Sequence, residues 1–131
     1  MISGIGIDLI TIARIQRALE DANTGEKFRT RVFTEREIHD CESRANKYQS
    51  YAARFAAKEA TMKALGVGWG RHAGWTEIEV TRSRGERPSV SLTGKAMERA
   101  RKLGITRLSL SLTHEPPLAA AEVIAESVGR D

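Results

Sequence analysis

Apolar and polar residues alternate near the C-terminal end of the chain, and one face of that alternation carries three leucines: Leu108, Leu110 and Leu112. A period of two is typical of a strand that buries one face. We therefore predict a strand over 105–114 and a second strand over 118–126. The first ten residues, MISGIGIDLI, form an apolar run that predicts another strand, ending near Asp8.

Helical periodicity begins directly after that first run. Thr11 has the residue type of an N-cap, and the helix that it opens has an apolar face formed by Ile12, Ile15, Leu19 and Ala22. The sequence NTG at 23–25 ends this helix. Thr34 and Glu37 have the spacing of a capping box, which predicts a second helix running toward Arg44.

The longest helical pattern runs from about Lys47 to Leu65, and Gly66 is its natural C-cap. A fourth helix is predicted from Thr93 to Leu103, ended by Gly104.

The glycine-rich stretch at 66–74 lacks the preceding strand and the Lys-Ser/Thr of a phosphate-binding loop, so we interpret it as a mobile connection. Strands over 75–82 and 88–92, joined through SRGER, form a predicted hairpin. The predicted class is α+β, with an antiparallel sheet packed with helices.

Length and composition predict one soluble domain over 1–131, with 40% hydrophobic and 29% charged residues. No run is long enough for a membrane span, and no secretory signal is present, so we expect a cytoplasmic protein without a membrane partner. The single cysteine, Cys41, fits a reducing compartment.

The net charge of +4 could favour nucleic acid, phosphorylated ligands or an acidic protein. Aromatic residues make up only 5%, and no basic-aromatic interleaving predicts a base-stacking surface, so nucleic acid is the weaker interpretation.

Glu59 interrupts the apolar stripe of the long helix. A carboxylate in such a place must be neutral, paired or bound to a cation. One alternative is a surface ion pair with Lys63, four residues on. The other includes Asp8, at the end of a predicted strand, because two carboxylates and a nearby lysine suit Mg²⁺ and a phosphate ester. Asp8 could instead serve the N-terminus of the first helix.

His114 shares parity with the three leucines, so we expect it to point toward the packed face at its strand's end. It is then either a satisfied core residue or a group that contacts phosphate or carries a proton.

Four segments follow one another along the chain: GIGIDL at 4–9, FTEREI at 33–38, ARFAAKEATMKALG at 53–66 and SLTH at 111–114. Together they resemble the small bacterial class of 4′-phosphopantetheinyl transferases, the holo-acyl-carrier-protein synthases. The resemblance implies a small single-domain α+β fold that assembles as a homotrimer with sites between subunits. It also implies transfer of 4′-phosphopantetheine from coenzyme A to a serine of apo-acyl carrier protein, leaving adenosine 3′,5′-bisphosphate, in support of fatty acid biosynthesis.

By this resemblance, Asp8 and Glu59 are the Mg²⁺ ligands, and Lys63 contacts the coenzyme A phosphates. Glu59 and a water on the metal are both candidates for the base that activates the serine. The residues implied near the donor nucleotide are Arg54, Lys58, His114 and, from the neighbouring subunit's hairpin, Pro88. Glu86 departs from the family's usual Gly-basic-Pro in that hairpin.

Arg14 and Arg17 project together from the first helix, away from its apolar face. The alternatives are a solvated mixed-charge surface and a docking site for the acidic carrier protein that the resemblance implies. Two rival functions remain: a noncatalytic coenzyme A or nucleotide binder, and a basic nucleic-acid-binding module.

Overall fold

The computed structural model describes residues 1–68, 73–83 and 85–128. The strands are β1 (Ile2–Thr11), β2 (Ile78–Thr81), β3 (Ser89–Leu92), β4 (Ile105–Glu115) and β5 (Leu118–Ser127). The helices are α1 (Ile12–Glu20), α2 (Gly25–Val32), α3 (Glu35–Glu42), α4 (Lys47–Ala64) and α5 (Gly94–Lys102), and a short 3-10 helix spans Trp75–Glu77.

The main sheet has three strands in the order β1-β5-β4, and both pairs are antiparallel. β2 and β3 form a second antiparallel pair. Helix α4 lies against the inner face of the main sheet, and most of its side chains are buried. The predicted α+β class, an antiparallel sheet packed with helices, is therefore confirmed.

Small residues bring β1 unusually close to α4. A Cβ atom added to Gly4 would lie 2.1 Å from the carbonyl oxygen of Ala64, and one added to Gly6 would lie 1.8 Å from that of Ala60. Alanines on α4 supply the matching low surface, so the strand packs on the helix backbone itself. Residues of β1 with the same parity, including Asp8, therefore face α4.

The outer face of the same sheet is open, and its β1 side is apolar, whereas β4 contributes Ser109, Ser111 and Thr113 to it. Ile5, Ile7 and Leu9 on β1 are 59%, 63% and 63% exposed. Their partners on β5 are Ile124, Glu122 and Ala120, which point to the same side. This surface, which we call the outer apolar face, has no covering element among the described residues.

Several predicted boundaries differ from the structure. β1 continues beyond Asp8 to Thr11, because its pairing with β5 extends to Leu118. Thr11 is the N-cap residue of α1, but its hydroxyl makes no capping hydrogen bond, and Ala22 lies beyond the end of that helix.

Helix α2 was not predicted, because its sequence, GEKFRTRV, is largely polar. Residues 75–77 form a 3-10 helix rather than the predicted strand. The long helix ends as predicted, with Gly66 at φ 69°. Part of the predicted mobile connection, 69–72, lies outside the described residues. No helix in the described part of the chain has both the length and the apolarity needed to cross a membrane.

Candidate active site

Lys63 joins α4 to β1 at the inner face of the sheet. Its Nζ donates to the Asp8 Oδ1 atom at 3.2 Å and to the Ile7 carbonyl oxygen at 2.9 Å. The Asp8 side chain is 15% exposed, whereas the Lys63 side chain is 53% exposed. Lys63 therefore pairs with Asp8 across the two elements, and the alternative of an i, i+4 pair with Glu59 is wrong.

Glu59 lies one turn before Lys63 and is half-buried. Among the described residues its carboxylate has neither a hydrogen bond nor an ion pair within bonding distance. Burial raises the pKa of the Glu59 carboxyl, and the nearby Asp8 raises this pKa further, while Lys63 and Arg14 oppose the shift. Two carboxylates from separate elements thus face the same small region.

This donor set fits a hard divalent cation. Glu59 has an uncompensated carboxylate, and Asp8 already holds a cationic group. Within the described residues no third Asp, Glu, His or Cys joins them to make a complete protein cage. Mg²⁺ commonly has one or two protein carboxylates and takes its other ligands from water and substrate phosphates, which matches this pair.

A basic cavity of about 480 Å³ lies at the other end of α4. Its lining includes four groups that can carry positive charge: Arg44, Arg54, Arg82 and His114. A second cavity of about 370 Å³ shares Arg54 and Arg82 with it and adds Arg36 and His39. Asp40 also lines the second cavity and pairs with Arg54, so the positive charge of this lining is partly neutralised.

Arg54 is 5% exposed and bonded to Ser50 and Asp40, yet its Nε has no partner among the described residues. A buried guanidinium donor without a partner favours an anion nearby. Sequence reasoning identified Arg54 and His114 but missed Arg44 and Arg82, which follow α3 and β2 in different parts of the chain. No sequence spacing connects these two arginines.

His114 shares the inner face with the leucines of β4, as predicted. It is exposed, because it lies at the end of the strand beyond the cover of α4, so the core-histidine alternative is wrong. This position makes its imidazole available to the larger cavity.

Lys58 is predicted near the donor nucleotide, but its side chain does not line either basic cavity. Its side chain is completely buried, with Nζ 2.7 Å from Glu37 Oε1 and 2.9 Å from the Trp75 carbonyl oxygen, and it also donates to the Ile78 carbonyl oxygen. Burial lowers the pKa of Lys58, and the Glu37 carboxylate opposes the shift. Within this chain Lys58 is therefore an internal counter-ion of Glu37.

Glu37 completes that buried connection. The predicted capping box is present: Glu37 Oε1 accepts from the Thr34 backbone N–H at 2.8 Å, and the Thr34 hydroxyl accepts from the Glu37 N–H. Its other oxygen accepts from the Val80 N–H at 2.8 Å. The ion pair between Glu37 and Lys58 and the hydrogen bond from Val80 to Glu37 therefore connect α3, α4 and β2.

The remaining predicted positions lie around these groups. Arg14 and Arg17 are exposed on α1, whose Ile12 and Ile15 are buried. Arg14 is close enough to affect the pKa of Glu59, so the basic side of α1 adjoins the carboxylates. Pro88 precedes β3 and does not line the basic cavities within this chain.

Sequence comparison identifies the family to which this chain belongs. The sequence model of the 4′-phosphopantetheinyl transferase superfamily matches residues 4–120, a range that includes Asp8, Arg54, Glu59, Lys63 and His114. The chain belongs to this superfamily.

Named relatives within the superfamily cover almost the whole chain. A holo-[acyl-carrier-protein] synthase of Solibacter usitatus is 46% identical over 127 residues, which is 97% of this chain and 100% of the relative. One of Ruminiclostridium cellulolyticum is 50% identical over 121 residues, 92% of this chain and 89% of the relative.

Solved structures of superfamily members share the fold. The holo-[acyl-carrier-protein] synthase of Neisseria meningitidis has a TM-score of 0.87 at 31% identity, covering 97% of this chain and 100% of that one. The Helicobacter pylori enzyme in complex with coenzyme A has a TM-score of 0.81 at 34% identity, covering 93% and 99%. Because of its similarity to these named enzymes and to the superfamily model, this chain is a phosphopantetheinyl transferase.

Proposed function

We propose that this chain transfers 4′-phosphopantetheine from coenzyme A to a serine of apo-acyl carrier protein, with Mg²⁺ at Asp8 and Glu59. The observation that carries the proposal is the Asp8, Glu59 and Lys63 cluster, found in a chain closely similar to named holo-[acyl-carrier-protein] synthases. The products are holo-acyl carrier protein and adenosine 3′,5′-bisphosphate. Such a product serves fatty acid biosynthesis, which we expect to take place in the cytoplasm.

The basic cavity supports the assignment of the donor site. Coenzyme A has a phosphomonoester and a pyrophosphate, and the cavity offers Arg54 with its free Nε together with His114. The solved relatives from Helicobacter pylori and Bacillus anthracis were crystallised with coenzyme A, the latter described as CoA (3′,5′-ADP). We infer that Arg44 and Arg82 contribute to the same anionic ligand.

In the transfer step, the serine oxygen forms a bond to the phosphorus that carries pantetheine. The bond from that phosphorus to the bridging oxygen breaks, and this oxygen leaves with adenosine 3′,5′-bisphosphate. When bound, Mg²⁺ supplies positive charge to the pyrophosphate oxygens in this step. The chemistry requires stabilisation of charge more than it requires a covalent intermediate.

The chain's own residues provide position and proton transfer. Asp8 and Glu59 would orient the pyrophosphate through the ion that they hold. Lys63, with its flexible and half-exposed side chain, would place its ammonium group on the leaving phosphate. Glu59, whose carboxylate has no bonded partner among the described residues, would be able to accept the proton of the serine hydroxyl.

The acceptor surface is proposed on α1. Arg14 and Arg17 are both exposed, and Arg14 is near enough to lower the pKa of Glu59. An acidic carrier protein that docks on this helix would bring its serine close to Glu59, and opposite charges would accelerate the encounter.

We further propose a homotrimer with sites between subunits. The outer apolar face exposes Ile5, Ile7 and Leu9 side by side, and a second copy of the chain would cover it. Pro88, which lies outside the basic cavities of its own chain, is free in this arrangement to approach the nucleotide of a neighbouring subunit. Light scattering that finds a catalytically active monomer would contradict the shared sites.

The direct test mixes the purified chain, coenzyme A, Mg²⁺ and apo-acyl carrier protein and measures the mass of the carrier. We expect the mass to rise by one phosphopantetheine group, and to stay constant when the acceptor serine is alanine or when EDTA removes the metal. An unchanged carrier despite bound coenzyme A would support the noncatalytic binder instead.

A further inference from the structure

Lys63 makes two contacts with β1, one to Asp8 Oδ1 and one to the Ile7 carbonyl oxygen. The ammonium group therefore lies against one of the two carboxylate oxygens that Asp8 could offer to a metal ion. Glu59, by contrast, has no cationic partner within bonding distance among the described residues. The two carboxylates differ in availability, although both belong to the proposed metal site.

We propose that Lys63 and the metal ion compete for Asp8, and that the anionic donor makes metal binding cooperative by drawing Lys63 away. This inference rests on the proposed Mg²⁺ site at Asp8 and Glu59. In the free protein Lys63 acts as the internal counter-ion of Asp8. In the presence of a pyrophosphate, the same ammonium group moves to the phosphate, which leaves the Asp8 carboxylate available to the metal.

The physical basis is electrostatic repulsion combined with the reach of a lysine. An ammonium group 3.2 Å from Asp8 Oδ1 and a divalent cation on the same carboxylate repel each other strongly at such short separation. The Lys63 side chain is more than half exposed, so its four-carbon stem can move without unpacking the core. A pyrophosphate offers it a stronger acceptor than the Ile7 carbonyl oxygen.

Thermodynamic linkage makes the effect reciprocal. If the donor increases metal affinity by releasing Lys63, the metal increases donor affinity by the same factor. Removal of the lysine should therefore strengthen metal binding in the absence of donor and reduce the cooperativity to the part that comes from ligation of the metal by the donor's phosphates.

The test measures Mn²⁺ binding to the full chain by electron paramagnetic resonance, with and without coenzyme A and without carrier protein, so no turnover occurs. For the unaltered chain we expect coenzyme A to tighten Mn²⁺ binding about tenfold. For Lys63→Met we expect Mn²⁺ alone to bind about tenfold more tightly, with a further effect of coenzyme A that is smaller than in the unaltered chain.

Two variants serve as controls. Lys102→Met removes the same charge from an exposed position in the last turn of α5 and should leave both affinities unchanged. Lys63→Arg retains the charge and should retain weak binding of Mn²⁺ alone.

Two results would overturn the proposal, and they are distinguishable. If Asp8→Asn binds Mn²⁺ as well as the unaltered chain, the metal site itself is wrong. If Asp8→Asn loses Mn²⁺ while Lys63→Met and the unaltered chain bind it equally, the metal site stands and the competition is refuted.

Discussion

Gly6 of β1 packs directly against the backbone of α4 at Ala60, where a Cβ atom on the glycine would lie 1.8 Å from the carbonyl oxygen. Asp8 follows two residues later on the same face of the strand, and Glu59 precedes Ala60 in the helix. The closeness of strand and helix thus determines the separation of the two carboxylates. Gly6 and Ala60 have no reactive side chains, but their close packing fixes the positions of the Asp8 and Glu59 carboxylates.

Gly6→Ala should therefore destabilise the fold and disturb the site. Because the clash is with backbone rather than with a flexible side chain, we expect the free energy of unfolding to fall by about 3 kcal/mol. Urea denaturation measures this loss. The control is Gly68→Ala, since a Cβ at Gly68 has no atom within 4 Å. Equal stability of the two variants would contradict the close-packing argument.

Asp8→Ala and Glu59→Ala should each reduce phosphopantetheine transfer by at least about a hundredfold while leaving the fold intact. The Glu59 carboxylate is half-buried and unpaired, so its removal relieves desolvation, and the melting temperature should stay constant or rise. Carrier mass and thermal unfolding are measured on the same samples. Glu98→Ala, at an exposed site on α5, is the control. Activity that survives both substitutions at ordinary Mg²⁺ would remove the metal assignment.

Lys58→Met tests whether Lys58 is an internal counter-ion or a donor contact. It leaves the Glu37 carboxylate buried without its cation, which should lower the free energy of unfolding by about 3–5 kcal/mol. The dissociation constant for coenzyme A, measured by calorimetry on folded protein, should change little. Arg82→Ala should show the reverse, with ordinary stability and weaker coenzyme A binding, because Arg82 is exposed and lines the cavity. A stable Lys58→Met protein that no longer binds coenzyme A would reinstate Lys58 as a ligand contact.

Arg17→Glu is a clean test of carrier docking. Arg14 affects the pKa of Glu59, so a change at Arg14 would perturb the carboxylates as well as the surface. For Arg17→Glu we expect a higher KM for the carrier protein, an unchanged affinity for coenzyme A and a weaker dependence of the rate on salt. Arg101→Glu on α5 makes the same charge change elsewhere. If both variants have the parent's KM at low ionic strength, α1 is not the docking surface.

Cys41 should report unfolding through its reactivity. The side chain is 0% exposed, with Sγ 3.3 Å from the Ser50 Oγ atom, and burial raises the pKa of its thiol. A raised pKa reduces the thiolate fraction near neutral pH, and burial blocks access. We expect iodoacetamide to label the native chain at least about a hundredfold more slowly than the chain in urea. Rapid labelling of the native chain would show local opening of α3.

The sequence predicted best what depends on neighbours along the chain. The Thr34 and Glu37 capping box needs only a spacing of three residues, and the alternation of β4 needs only a period of two. The resemblance also pairs Asp8 with Glu59, which are far apart in sequence, and in the structure Asp8 is near enough to raise the pKa of Glu59.

What the sequence could not predict depends on packing in three dimensions. The partner of Lys63 is Asp8 because β1 lies so close to α4, a fact that no helical spacing contains. Lys58 and Glu59 are adjacent in sequence, yet they face different environments. Lys58 is fully buried between α3 and β2, whereas Glu59 is only half-buried. His114 has the parity of a core residue, but the cover provided by α4 stops before it.

The alternation along β1 also has an evolutionary consequence. Ile7 and Leu9 belong to the outer apolar face, while Asp8 between them belongs to the inner one. Insertion or deletion of one residue before this point would send the carboxylate outward and an isoleucine or leucine inward. Substitutions can alter either face independently, but a change in the length of this strand would disrupt both at once. We therefore expect length variation in this lineage to accumulate in the connections and at the chain ends, and to be rare within β1.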